Sequence, residues 1–343
     1  MKDKVELRFV NPTDMSCSCF GSSRVQKKET STQRELEGYS LENIRNFSYK
    51  ELRLATYNFD RSTKIGRGGF GVVYKGILKD GAQVAVKTLC AESKQGVREF
   101  LAEINTISNV RHQNLVELIG CCVEGTNRIL VYEFVENNSL DHALLGKRSN
   151  IIELDWEKRS NICIGTARGL AYLHEEHKPH IHKTSRNNIS CGYLAPEYVL
   201  GGQLTLKADV YSFGVLVLET ISGRSSSLSS WGTTQKVLLE WAWELYEEGR
   251  LLELVDDHLK AYPEDVVIKY IKVAFFCTQA TATRRPTMSQ VVDMLSRNVK
   301  LNEKELTPPG FFQDSNENKK ASDASTSRQI SSFPTTITQV IPR

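Results

Sequence analysis

Three features in the first half of the chain have the residue types and spacing needed to hold a phosphorylated ligand. Residues 66–73 fit the pattern G-x-G-x-x-G-x-V, in which Gly66, Gly68 and Gly71 let a backbone approach phosphate oxygens closely. Sixteen residues after Gly71 comes Lys87, in the strand-like run VAVK, and Glu103 follows sixteen residues later. The lysine would supply a point charge for phosphates, and the glutamate would pair with it and fix its direction. The stretch lacks the G-K-[ST] ending of a P-loop, so it is not a P-loop. It precedes a strand rather than a helix, so it is not a dinucleotide-binding fingerprint either.

The hydrophobic pattern predicts the elements that must position these residues. Helical spacing indicates helices over 47–60 and 95–109, and β-rich runs occupy 65–88, with a hairpin signal at Asp80-Gly81. Two further strands are predicted, over 115–119 and 128–132. From residue 155 onward the pattern is mostly helical. A strand-rich first half and a helical second half predict an α+β fold with two lobes.

Composition excludes several other classes of protein. The 343 residues carry 44 Lys and Arg against 41 Asp and Glu, a net charge of +3, which gives no support for nucleic-acid binding. No apolar run reaches the roughly 18 residues that a membrane span requires. The start, MKDKVELRFV, has no apolar signal-peptide core. The eight cysteines lack the histidine spacing of a zinc site, so we expect reduced intracellular thiols and no structural metal.

Several motifs in order identify a family resemblance. GRGGFGVVYKG, VAVK, LVYEF, LAPEY and DVYSFGVL strongly resemble plant receptor-like Ser/Thr protein kinases and their receptor-like cytoplasmic relatives, and GCCVEGTNRILVYEF resembles the cold-responsive group. The resemblance covers about 47–300 and implies a bilobal protein-kinase-like fold, with an N-lobe sheet plus one helix over about 59–135 and a helical C-lobe over about 136–300. Residues 1–46 would be a disordered arm and residues 301–343 a disordered Ser/Thr-rich tail.

The resemblance also implies roles for individual residues, with ATP as the ligand. The glycines would cover the phosphates, Lys87 would contact them, and residues 132–135 would include the gatekeeper and the hinge that binds adenine. The residues that the resemblance assigns to nucleotide binding are Ile65, Gly66, Gly68, Gly71, Val73, Ala85, Lys87, Glu103, Tyr132, Glu133 and Val135. Glu197 of the A-P-E element would pair with Arg285, and Asp209 would anchor the catalytic loop. We expect these last three to be structural.

The residues that perform phosphoryl transfer in this family are largely missing. The family uses H-R-D-x-x-x-x-N and D-F-G before A-P-E, whereas this chain has His182 followed by Lys-Thr, no D-F-G, and no aspartate between Asp155 and Asp209. Twelve residues lie between His182 and Ala195, where the family pattern has about forty. Only His182 and Asn188 resemble remnants of the catalytic loop, so magnesium ligation is in doubt. A histidine acting as a replacement base is a further alternative.

Two functions therefore stay open. The first is an ATP-binding pseudokinase that acts as a signalling scaffold, inactive as written, in plant stress signalling. The second is an isoform or faulty gene model of an active serine/threonine-protein kinase that transfers the γ-phosphate of ATP to protein Ser/Thr. Other signalling proteins, including receptor kinases, are the expected partners.

The N-terminal cysteines bear on localisation. Cys17 and Cys19 are either S-palmitoylated, which would attach a cytoplasmic protein to the plasma membrane, or ordinary free cysteines.

Overall fold

The computed structural model describes residues 44–68, 71–89, 94–137, 139–145, 154–176, 193–202, 205–226, 229–231 and 234–310. The first lobe is built on a six-stranded sheet with the order β1-β5-β6-β4-β3-β2. Its strands are β1 (Arg45–Asn46), β2 (Lys64–Gly68), β3 (Gly71–Ile77), β4 (Gln83–Leu89), β5 (Leu118–Glu124) and β6 (Asn127–Glu133). Strand β1 runs parallel to β5, and the other pairs are antiparallel. This is the α+β, kinase-like arrangement that the motifs predict.

Two helices cover the two faces of this sheet, and the alternation of β4 decides which side chains meet each one. Helix α1 (Tyr49–Ala55) packs through Leu52 and Ala55 in one cluster with Val84 and Val86. Successive strand residues point to opposite faces, so Ala85 and Lys87 point to the other face. There α2 (Lys94–Ile107) buries Phe100 and Ile104 beside Leu89 and Leu130.

Two sequence-based element predictions are wrong in their bounds. The helix predicted over 47–60 ends at Ala55, and the backbone then turns through Tyr57, Asn58 and Phe59, all with positive φ. Leu54 is 61% exposed, because Leu52 and Ala55 face the sheet. The strand predicted over 115–119 starts only at Leu118 and extends to Glu124, where pairing with β6 ends.

The second lobe is helical and is organised around one buried helix. Its helices are α3 (Leu140–Leu145), α4 (Trp156–Ala171), α5 (Pro196–Gly201), α6 (Leu206–Ser222), α7 (Leu238–Glu247), α8 (Glu264–Cys277) and α9 (Met288–Ser296). A π-helical turn, Tyr172–Glu176, continues α4, and a short hairpin joins β7 (Ser229–Trp231) to β8 (Thr234–Lys236). Helix α6 is apolar almost all round and lies in the core, as expected for such a pattern.

The C-terminal part of the described chain packs on the helical lobe. Tyr211 donates a hydrogen bond of 2.5 Å to the carbonyl of Gly310, and Gly310 N–H donates to the carbonyl of Thr278 at 3.1 Å. The expected tail boundary at residue 301 is therefore ten residues too early. No helix in the described ranges is long and apolar enough to cross a bilayer.

Candidate nucleotide-binding site

The strand register brings the predicted phosphate-binding lysine and adenine-contacting residues to one face of the sheet. Lys87 lies opposite Val73 of β3 and Leu130 of β6. Ala85, two residues earlier on the same strand, lies opposite Tyr132. Directly paired residues share a face, so these side chains form one surface. It is the surface on which α2 packs.

Lys87, Glu103 and Tyr132 form a connected group at the centre of this surface. Lys87 Nζ lies 2.5 Å from Glu103 Oε1, and the Tyr132 hydroxyl donates to Glu103 Oε2. The side chains of Lys87 and Glu103 are 21% and 30% exposed, so the pair is shielded from full solvent screening. The two Glu103 oxygens thus hold Lys87 and Tyr132 to α2. The tyrosine–glutamate bond is not evident from the sequence, because a contact 29 residues apart has no local signal.

The glycine-rich hairpin needs a glycine at Gly71. A Cβ there would lie inside van der Waals contact with the carbonyl oxygen of Thr88, so no larger residue allows β3 to approach β4 this closely. Gly68 pairs with Gly71 and Gly66 with Val73. Strands β2 and β3 thus stay paired as far as Gly68 and Gly71.

The expected hinge has one donor available for a ligand. The Glu133 N–H donates to the Glu117 carbonyl at 3.1 Å, and the Glu133 carboxylate accepts from the Glu117 N–H at 3.0 Å. Among the described residues, nothing accepts a hydrogen bond from the Val135 N–H. Val135 is partly buried, and its N–H belongs to the hinge whose backbone, by the resemblance, would bond adenine. Ile65, at the rim, is 42% exposed.

In the helical lobe, Glu197 and Arg285 form a bidentate ion pair. Arg285 Nη1 and Nη2 lie 2.7 and 2.9 Å from the two Glu197 oxygens, and the arginine side chain is fully buried. Arg285 also donates to the carbonyls of Gln279 and Lys207, at 2.8 and 2.9 Å. The pair therefore fixes the start of α5 against the loop before α9.

Asp209 makes a contact that the resemblance did not name, whereas the catalytic loop that it would anchor lies outside the described residues. Asp209 accepts a 3.0 Å hydrogen bond from His174 in the π-helical turn after α4. The catalytic-loop remnants His182 and Asn188 lie outside the described residues, as do Cys17 and Cys19.

Two buried charged groups of the helical lobe were not singled out from the sequence. Arg159 binds Asp256 at 2.5 Å and the Thr220 carbonyl at 2.8 Å. Glu219 accepts from the Ser226 N–H at 2.5 Å and from the Tyr193 hydroxyl, and burial raises the pKa of its carboxyl to about 7. A lone charge inside the apolar run LVLETIS is a signal that would have pointed to Glu219.

The described residues of the sheet lobe fit a nucleotide, and no set of ligands for its magnesium ion is found among the described residues. The shielded lysine and the glycine hairpin match phosphates, and the Val135 N–H, which has no acceptor among the described residues, matches an adenine nitrogen. Magnesium prefers carboxylate oxygens, and the nearby Glu103 is already held by Lys87 and Tyr132. The described residues contain no cluster of three or more His, Cys, Asp or Glu able to hold a metal, and residues 177–192 contain no Asp or Glu.

A sheet lobe that carries the lysine–glutamate pair, joined to a helical lobe built around α6, defines the protein-kinase class of folds. The chain belongs to the protein tyrosine and serine/threonine kinase family, whose model matches residues 59–189 and 176–295. It is similar to cold-responsive protein kinase 1 of Arabidopsis thaliana, with 44% identity over 88% of this chain and 85% of that protein.

Two further similarities place the chain among receptor-like kinases. A probable LRR receptor-like serine/threonine-protein kinase of Arabidopsis thaliana is 43% identical over 85% of this chain. The matched region covers only 31% of the length of that protein. The solved pseudokinase domain of BIR2, an immune regulator of the RLK/Pelle family, matches with a TM-score of 0.58 and 30% identity, over 77% of this chain and 91% of that one.

Proposed function

We propose that the chain binds ATP in the sheet lobe without transferring its phosphate, and that it acts as a pseudokinase scaffold. The observation that carries the first half is the group formed by Lys87, Glu103 and Tyr132. A lysine held by a shielded carboxylate is oriented before any ligand arrives, so less side-chain conformational entropy is lost on binding.

The second half depends on the groups that phosphoryl transfer requires. The reaction needs a residue that orients the attacking hydroxyl and ligands for the metal that neutralises the γ-phosphate. With no aspartate between Asp155 and Asp209 and no D-F-G, the chain has neither. The nucleotide would then stabilise the fold and the surface that partners meet, as a ligand that binds only the folded state does.

The similarities support a role in intracellular signalling beside receptor kinases. One similar structure is the pseudokinase domain of an immune regulator, and one similar protein is a cold-responsive kinase. We propose that the partner is the kinase domain of a receptor-like kinase, in stress signalling. The proposal places the protein in the cytoplasm, with attachment to the plasma membrane through acylated Cys17 and Cys19.

Thermal unfolding of the purified chain tests nucleotide binding. Millimolar ATP should raise the unfolding midpoint, with or without magnesium, because the site lacks metal ligands. Lys87→Met should remove most of this shift, and Lys79→Met, an exposed lysine on the β3–β4 turn, should keep it. Equal shifts for both variants, or none for the wild-type chain, would contradict the proposal.

The second candidate, an isoform or faulty gene model of an active kinase, is favoured by the short interval between His182 and Ala195. Sequencing the transcript across this interval separates the two. A transcript that encodes H-R-D and D-F-G would assign the activity to a longer chain. A transcript that matches the present sequence would support the pseudokinase proposal over this second candidate.

A further inference from the structure

The surface formed by α1 and the turn that follows it combines exposed apolar side chains with unpaired positive charge. Leu54 and Tyr57 are 61% and 68% exposed, and Leu54 follows Lys50 and Arg53 on the outer side of the helix. The inner side is fixed by Leu52, which is completely buried. Helix α1, which carries this surface, is therefore packed firmly against the sheet.

The charge of this surface is one-sided. Between residues 48 and 64 the exposed charged side chains are four basic and one acidic, namely Lys50, Arg53, Asp60, Arg61 and Lys64. None of the four basic residues is ion-paired within the part of the chain that the structure describes. The remaining acid, Glu51, already pairs with Arg45 at 2.7 Å.

The turn after α1 adopts an unfavourable backbone that keeps Tyr57 outside. Tyr57, Asn58 and Phe59 have φ of 50°, 64° and 55°, a conformation that side chains other than glycine seldom adopt. Phe59 stacks on Tyr49, with ring centroids 5.8 Å apart, and meets Tyr74 edge to face at 5.5 Å. The partly buried phenylalanine anchors the turn, whereas Tyr57 makes no ring contact with the residues that the structure describes and faces solvent.

We propose that this surface, made of Lys50, Arg53, Leu54, Tyr57, Arg61 and Lys64, binds the face of a membrane that contains anionic lipid. Long basic side chains keep their charge among the headgroups, while a leucine and a tyrosine enter the boundary with the acyl chains. Charge complementarity is the reason for choosing anionic lipid.

Such a contact would act as a second attachment signal. A single acyl chain holds a protein only weakly, and a basic surface beside it makes the attachment stable. The surface also lies on the face of the sheet opposite Lys87. Membrane binding would leave the nucleotide site accessible, so the proposal does not depend on ATP binding.

Co-sedimentation with lipid vesicles tests the proposal, using the full chain made without acylation. One set of vesicles contains phosphatidylcholine alone, and the other has 30% phosphatidylserine added, about the anionic content of a charged leaflet. We expect binding only to the anionic vesicles, and loss of binding at high salt. Lys50→Glu with Arg53→Glu should weaken binding at least tenfold, and Leu54→Ser with Tyr57→Ser severalfold. Thermal unfolding should show that both double variants stay folded, since every changed side chain is exposed.

A matched control separates this surface from total charge. Lys260→Glu with Lys300→Glu changes the net charge equally at exposed positions of the helical lobe, and it should bind like the wild-type chain at low protein occupancy. Equal weakening by the control pair would overturn the proposal. So would equal binding to neutral and anionic vesicles, or no binding at all, and the last result would assign the surface to a protein partner.

Discussion

The buried Arg285 makes a prediction whose size follows from its contacts. Arg285→Met removes both bonds to Glu197 and leaves the carbonyls of Gln279 and Lys207 without this donor. Removing one partner of a buried ion pair costs about 3–5 kcal/mol, because the other charge is left uncompensated. Glu197 is 22% exposed and regains some hydration, so we expect the lower end, about 3 kcal/mol.

At roughly 2–4 °C per kcal/mol, this loss lowers the unfolding midpoint by about 10 °C, measurable by calorimetry or circular dichroism. Arg250→Met is the matched control, because Arg250 also binds two carboxylates, Glu248 and Glu253, but on the surface. Its midpoint should stay close to that of the wild-type chain. Similar midpoints for both variants would refute the view that burial gives the Glu197–Arg285 pair its importance.

Three further predictions concern single side chains. The raised pKa of Glu219, about 7, means that its contribution to stability is fully present at low pH and is lost as the pH rises through 7. Between pH 4.5 and 8 the unfolding free energy of the wild-type chain should therefore fall by roughly 3 kcal/mol more than that of Glu219→Gln, as measured by urea titrations. Parallel pH profiles of the two chains would contradict this. Tyr132→Phe removes the bond to Glu103 and should cost about 1 kcal/mol by the same titration, while an unchanged urea midpoint would show the bond to be unimportant. Gly214→Ala places a Cβ within 2.8 Å of α8 atoms and should cost about 1–3 kcal/mol, and an unchanged melting curve would show that the α6–α8 contact is loose.

The sheet lobe follows closely from its sequence because its signals are local. Alternation along β4 determines which side chains share a face with Lys87, and the antiparallel pairing of β4 with β3 follows from the short turn between them. The pairing of β4 with β6 joins strands that α2 and β5 separate along the chain, so no local signal indicates it. The early end of the helix predicted over 47–60 could not be predicted from local sequence signals. Phe59 packs against Tyr49 and Tyr74, and that contact bends the backbone into a conformation no propensity predicts.

The contacts of the helical lobe were harder to predict because they join distant residues. Arg159 and Asp256 are 97 positions apart, and nothing near either residue indicates the other. Asp209 shows the same limit, since its partner His174 depends on how α4 and α6 cross. The C-terminal boundary was missed because residues 301–310 are mostly polar. They pack through the isolated Leu301 and Leu306 and through the backbone bond of Gly310, which form no periodic apolar pattern.

The most direct test of the central claim measures phosphate transfer and ATP binding on the same preparation of this chain. Radiolabelled ATP with magnesium or manganese and a generic Ser/Thr substrate gives the first, and calorimetric titration gives the second. The account predicts ATP binding that Lys87→Met weakens, with no transfer above the level of that variant. Transfer by the wild-type chain that Lys87→Met abolishes would contradict it.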